Sequence, residues 1–480
     1  MTSRAAALLG LAGSLLVAYA APRALDDRVV GWWYRPGFPA GQGTSLVLVW
    51  VGMIVLALAW LALGRELASE RALMGIAVAW ALPLALGPPL FSRDVYSYLA
   101  QGTILHLGHS PYHSAPALLA GLGHRHVLAA VSPFWRSTTA PYGPLFLGLV
   151  SLVVGAVGSH LVAGVLLTRL VSAVGFVLLA VAMPRLARAM GGDPRRALWL
   201  VLLSPLMMLQ LVSAVHNDLL MAGLLALGVA VALRGHPLQG IALCALAATV
   251  KVPALAGVLF IAVAWGRAER DMGARIRLAA AAAGITVVVL GAVTLITGAG
   301  LSWLSTSLFS TPARVRLAIT PATAIGYTLA MLAHLATVTV SSRSLEGAVG
   351  VVGSVLTAVA GAVLCYRVVV GRLVLMLGGF LLIAAAGGPA AWPWYFTWGL
   401  VLVAALRGPR RWGPVAVAIA VSALVVKPDG ILALPIQSAP IVLIIYVLIA
   451  AAVWRRRPRA GDPWRPPAAT RAERPVSAPV

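Results

Sequence analysis

Charge and cysteine are what this sequence has least of. Only 10% of its 480 residues are charged, against 61% that are apolar. A soluble chain of this length exposes more surface than so few charges can cover, whereas a lipid surround removes the need. The two cysteines, Cys244 and Cys365, both stand in apolar runs, which excludes a disulfide framework and a cysteine zinc site. Acids number 13, and lysine is scarcer still, with only Lys251 and Lys427 among 36 basic residues. The histidines of the first long loop, among them His106, His109, His113, His124 and His126, lack metal-ligand spacing, so no metal site is expected.

What is present is a series of apolar runs near spanning length, about 20 residues at 1.5 Å each. They fall at 5–21, 44–63, 73–90, 161–184, 197–215, 218–233, 278–298, 347–366, 373–388, 412–427 and 434–454, with shorter pieces at 143–158, 238–250, 252–265, 321–340 and 395–406. The expected fold is an all-α polytopic membrane protein of about 12–14 spans. The first run has little preceding charge beyond Arg4 and reads as a span rather than a signal peptide. The net charge of +23 is not gathered in a compact basic domain, which argues against a nucleic-acid partner. Arginines sit instead in short connectors, at Arg185, Arg188, Arg195 and Arg196, at Arg267, Arg270, Arg275 and Arg277, and at Arg407, Arg410 and Arg411. By the positive-inside rule these connectors and both termini are cytoplasmic, and 455–480 reads as a disordered basic tail. The outer side then holds 22–43, 91–142, the turn at 216–218, 299–320, 389–395 and the turn at 427–430.

Two stretches break the simple count. The piece 143–158 reads as half-buried and re-entrant. Between Arg234 and Arg267, parity requires a hairpin of two short helices with Lys251 and Pro253 at its tip. Broken helices inside a membrane are tolerated only where they line protein or a wet cavity.

The candidate chemistry follows from scarcity. On the outer side the acids are Asp26, Asp27, Asp94, Asp218 and Asp429. Asp94 opens the largest outer loop directly after a span, a position suited either to a general base or to pairing with Arg93 or capping a helix. Lys251 suits a lipid phosphate or snorkelling towards headgroups. His216, Asn217 and Asp218 form either a tight turn or the rim of a cavity. Arg169, inside a span, is either a phosphate ligand or a structural pairing. Trp392, Trp394, Tyr395, Phe396 and Trp398 read as an interfacial belt or as a stacking platform for sugar rings, and Pro133, Trp135 and Tyr142 as similar loop elements.

Ser-Arg-Asp-Val-Tyr-Ser-Tyr-Leu-Ala-Gln-Gly (92–102), Ser-Pro-Tyr (110–112), Ala-Pro-Tyr-Gly-Pro (140–144), His-Asn-Asp (216–218), the lysine hairpin, Pro-Ala-Ala-Trp-Pro-Trp-Tyr (389–395) and Lys-Pro-Asp-Gly (427–430) occur in one order. Together, over about residues 10–455, they resemble the actinobacterial polyprenyl-phosphate-mannose-dependent α-1,6-mannosyltransferases of lipomannan synthesis, within the GT-C superfamily. The resemblance implies a helical bundle over 1–454 with a catalytic outer loop at 91–142, and Asp94 as the essential acid. It implies a polyprenyl-phosphate-mannose donor, an α-1,6-mannan glycolipid acceptor, inversion at the anomeric carbon, and no cofactor. Lys251, Arg93 and Arg169 are then candidates for the donor phosphate. Tyr96, Tyr98, Tyr142, His216, Asn217, Asp218, Trp392, Trp394, Tyr395, Lys427 and Asp429 are candidates for the donor and acceptor cavity. The absence of a Gly-rich phosphate loop agrees with a donor that is not a nucleotide sugar. A lipid-linked-sugar flippase is the competing class, although no acid lies in the interior of an expected span to couple ions. Another GT-C enzyme, such as a protein O-mannosyltransferase, is the third.

Overall fold

The computed structural model describes residues 1–25, 41–306, 319–338, 341–387, 391–408, 413–431 and 435–455. Asp26, Asp27, Arg314, Arg410, Arg411, residues 389–390 and the chain beyond Arg455 lie outside them. Every regular element among the described residues is helical. In chain order they are α1 Ser3–Ala24, α2 Gln42–Leu63, α3 Glu70–Leu86, α4 Asp94–His106, α5 Arg125–Ala130, α6 Pro144–Val157, α7 Leu161–Ala189, α8 Pro194–Val201, a π-helix Leu206–Ser213, α9 Asp218–Leu233 and α10 Pro237–Ala248. They continue as α11 Leu255–Ala268, α12 Met272–Thr297, α13 Trp303–Ser305, α14 Pro321–Leu335, α15 Ser342–Arg367, α16 Leu373–Gly387, α17 Thr397–Val403, α18 Gly413–Leu424 and α19 Ala439–Arg455.

Local chemistry places the ends of these helices. Thr2, Ser69 and Asp271 accept from backbone N–H groups in the first turns of α1, α3 and α12, and Thr320 makes a reciprocal capping box with Thr323. The span expected at 73–90 stops at Leu86, because Gly87 is extended and Pro88 and Pro89 follow it. The run expected as one span at 197–215 is instead α8 and the π-helix, bent by 53°. Pro205, at the break, has no N–H to continue the helix. Glu346 falls in the second turn of α15, which starts earlier than the apolar run alone indicates.

Six helices among the described residues are long and apolar enough to cross a membrane, seven if the bent pair is one span, and six shorter apolar helices accompany them. Of the 12–14 spans expected, about half are therefore full length and the rest are short. The main core draws on helices from α1 to α18, while α14 packs with α19 in a second, smaller cluster. Trp60 and Trp199 stack with centroids 4.8 Å apart, and each indole N–H donates to the other's backbone carbonyl at 2.8 Å. This reciprocal clasp joins α2 to α8 and leaves no indole donor unpaired in an apolar surround. α7 and α9 cross at Gly175 and Gly223, where a Cβ on Gly175 would collide with the Leu219 carbonyl. Small residues at such a crossing let two backbones approach in lipid. α12 and α15 are the least covered spans, with only 11% of each apolar window buried.

Candidate active site

Four separate pieces of chain meet at one end of this bundle: the start of α4, the turn at 216–218, the tip of the α10–α11 hairpin, and the aromatic run before α17. The hairpin forms as parity required. Lys251 lies between α10 and a 3-10 turn at Val252–Ala254, which leads into α11. Gly143 fastens this tip to the end of the 91–142 loop, since its N–H donates to the Val250 carbonyl and that of Leu145 to Thr249, both at 3.0 Å. A Cβ at Gly143 would overlap the Thr249 carbonyl, so glycine is what allows the join.

Lys251 Nζ sits 2.8 and 2.9 Å from the two carboxylate oxygens of Asp218, which is fully buried at the start of α9. The Trp398 indole donates to the same carboxylate at 2.6 Å. The ammonium also lies 4.5 Å from the Tyr395 ring centre and 5.4 Å from that of Trp398. A buried carboxylate thus receives three charge-assisted or polar hydrogen bonds, which offsets its desolvation. The cation keeps two aromatic faces as further partners.

The aromatic run forms two stacks joined edge to face between Trp394 and Tyr395. Trp392 stacks on Trp394 at 4.8 Å, Trp394 on His216 at 4.0 Å, and Tyr395 on Trp398 at 4.5 Å. Trp392 and Trp394 are buried, so they floor the site rather than forming an outward belt. Tyr98 meets Tyr142 and Phe146 edge to face, and the Tyr112 hydroxyl donates to the Tyr142 carbonyl at 2.9 Å.

Asp94 is the first residue of α4, where the helix dipole favours a carboxylate. It does not pair with Arg93, whose guanidinium donates to the Ala130 carbonyl at 2.7 and 3.2 Å and lies over the Tyr96 ring. One Asp94 oxygen is 3.6 Å from His216 Nδ1, and the carboxyl is 15% exposed against 1% for the histidine. Burial raises the Asp94 pKa to about 6, opposed by the charge of Lys251 and by hydrogen bonds from Ser92 and Trp135. Burial pushes His216 the other way, down to about 3, so a neutral ring faces the carboxyl. Two groups with opposite shifts in one site are an arrangement suited to proton transfer.

The structure therefore brings together Asp94, His216, Asp218, Lys251, Trp392, Trp394 and Tyr395, with Tyr98 and Tyr142 behind Asp94. Asn217 is fully buried beside them, and its amide makes no hydrogen bond among the described residues. Lys427 and Asp429 lie on a separate turn packed against Phe91 and Ser92. They face each other at 3.7 Å on an exposed turn whose Pro428 carbonyl accepts from the Phe91 N–H. Arg169 donates from its guanidinium to the carbonyls of Ala85, Gly87 and Ser213. Trp398 is legible in the sequence only as one aromatic among several, and its bond to Asp218 joins residues 180 apart in sequence.

Comparison with known proteins gives several matches. The family described as "Alpha-(1->6)-mannopyranosyltransferase, N-terminal domain" matches residues 3–267. The chain is 35% identical to "Alpha-(1->6)-mannopyranosyltransferase A" of Mycobacterium tuberculosis, over 83% of its own length and 78% of the relative's. It is 31% identical to a "Probable alpha-(1->6)-mannopyranosyltransferase" of Mycolicibacterium smegmatis, over 91% and 85%. "Alpha-(1->6)-mannopyranosyltransferase B" of Corynebacterium glutamicum is 31% identical over 62% and 56%. No solved structure matches. On these matches, and on the polytopic helical fold that carries them, the chain belongs to the alpha-(1->6)-mannopyranosyltransferase family.

Proposed function

We propose that this protein transfers mannose from polyprenyl-phosphate-mannose to the 6-hydroxyl of an α-1,6-mannan glycolipid on the outer face of the cell membrane, with inversion. The observation that carries the reading is the meeting of three chemistries in one buried site: a carboxyl raised to about 6 at Asp94, the Lys251 ammonium, and a stacked aromatic floor. Asp94 takes the proton from the acceptor hydroxyl as its oxygen forms the bond to the anomeric carbon. The bond from that carbon to the donor phosphate breaks, and the electron pair leaves with polyprenyl phosphate. The new negative charge needs neutralising more than protonating, which is the part of Lys251. The stacked pair Trp392 and Trp394 forms an aromatic floor against which acceptor sugars pack.

Purified protein given polyprenyl-phosphate-mannose and a short α-1,6-dimannoside releases polyprenyl phosphate in step with a trimannoside. Movement of donor across a bilayer without that release would instead indicate a flippase.

The orientation is tested separately. In a background of Cys244→Ala and Cys365→Ala, His109→Cys and Arg125→Cys react with an impermeant thiol reagent in intact cells, while Arg195→Cys and Arg270→Cys do not. All four positions are exposed, whereas Asp218, otherwise a natural choice on the same loop side, is fully buried and unsuited to labelling. The reverse pattern would put the site on the cytoplasmic face.

A further inference from the structure

We infer that Arg169 is a positioning residue that holds Asp94 and His216 in register by clamping the ends of two helices at once. The inference rests on the reading of Asp94 as the base. Arg169 lies well inside α7 and is only 6% exposed, an expensive place for a cation unless it has fixed partners. Its Nη1 donates to the carbonyls of Ala85 and Gly87 at 2.7 and 2.5 Å, and its Nη2 to the carbonyl of Ser213 at 3.0 Å. These are carbonyls at the C-terminal ends of α3 and of the π-helix, the groups that a helix leaves without intrahelical donors. Both ends also carry the negative pole of a helix dipole, so one guanidinium satisfies acceptors and charge together.

Each clamped end leads, through a strained residue, to a side chain of the site. From Gly87 the chain runs through Phe91, at φ 67°, to Asp94, and from Ser213 it runs through Val215, at φ 61°, to His216. These are two of three non-glycine residues with positive φ among the described residues, and a bulky or β-branched side chain is strained there. Such strain persists only where the surroundings over-determine the backbone. The Arg169 guanidinium is bonded to the anchors of both strained segments, and the side chains they present are 3.6 Å apart. A planar fork reaches both helix ends, which a lysine ammonium cannot do with the same geometry.

The test uses the full-length protein with polyprenyl-phosphate-mannose and α-1,6-dimannoside. Arg169→Lys lowers kcat by on the order of 10²-fold, as small misplacements of reacting groups do, while the donor KM stays within about twofold. The acid limb of its pH profile moves below that of the wild type, because a loosened Asp94 is better solvated. In an Asp94→Asn background the same substitution costs nothing further, since its target is already gone. A raised donor KM with unchanged kcat would make Arg169 a phosphate ligand and overturn the inference. Additive losses in the double variant would overturn it too. Full activity in Asp94→Asn alone would instead sink the assignment of the base. If Arg169→Lys does not fold, Arg169→Gln is measured in the same way, and failure of both would assign Arg169 to folding at large and so overturn the positioning role.

Discussion

Asp94→Asn loses mannosyl transfer by roughly 10²–10⁴-fold while protein yield and donor binding remain. The amide keeps the size of the side chain and can still accept from Ser92 and Trp135, but it cannot take a proton. Its folding cost is small, because no strong ion partner is left behind: Arg93 is bound to Ala130, and His216 faces Asp94 as a neutral ring. The pH dependence has a fixed sign. A base works ionised, and burial raises this carboxyl to about 6, so wild-type activity falls as pH drops through that value and is full above it. An acid limb in the ordinary carboxylate range, or near-normal turnover of the asparagine variant, would remove Asp94 from the reaction.

The other large effect is expected at Lys251. Removing it with Lys251→Ala leaves the Asp218 carboxylate fully buried with Trp398 as its remaining close donor. Breaking a buried pair from one side costs about 3–5 kcal/mol. Asp218→Asn, which leaves the ammonium 13% exposed among aromatic rings, is expected to cost less, because that cation retains two ring faces. The double variant Lys251→Met with Asp218→Leu should recover most of the thermal stability, since a well-packed apolar pair replaces two charges without loss. It should not recover transfer, because charge on the leaving phosphate would go unopposed. A melting temperature no better than that of Lys251→Ala would show that the pair is not the stabilising unit. Recovery of activity with stability would show that the ammonium has no part in the chemistry.

Much of this architecture is written in the sequence through scarcity. Two lysines in a chain of arginines, few acids and one run of tryptophans narrow the candidate site to a handful of residues, because each is costly in lipid and needs a reason. The hairpin tip at Lys251 follows from arginine parity on either side of it. What the sequence does not carry is pairing at long range. Nothing local to Asp218 indicates that Lys251 and Trp398 both bind its carboxylate, and nothing near Arg169 indicates that its partners are backbone carbonyls of two other helices. Backbone carbonyls leave no trace in residue identity. The bend at Pro205 is signalled by the proline, yet an unbroken apolar run across it has the pattern of one span. Lys427 and Asp429 draw attention through rarity and turn chemistry, and the structure places them together on an exposed turn beside Phe91.

The loop that carries Asp94 is fastened at its two ends to different parts of the chain. At its start the Phe91 N–H is bound by the Pro428 carbonyl, and at its close Gly143 is bound by Val250. The family match ends at residue 267, on the near side of α12. A cut there would leave the acid, the histidine and the lysine on one fragment, and the aromatic floor, the indole on Asp218 and the Pro428 anchor on the other. The label of an N-terminal domain therefore marks where sequence similarity is readable, not where a self-sufficient catalyst ends. Neither fragment would hold a finished site, and only co-expressed halves that find each other in the bilayer would restore one.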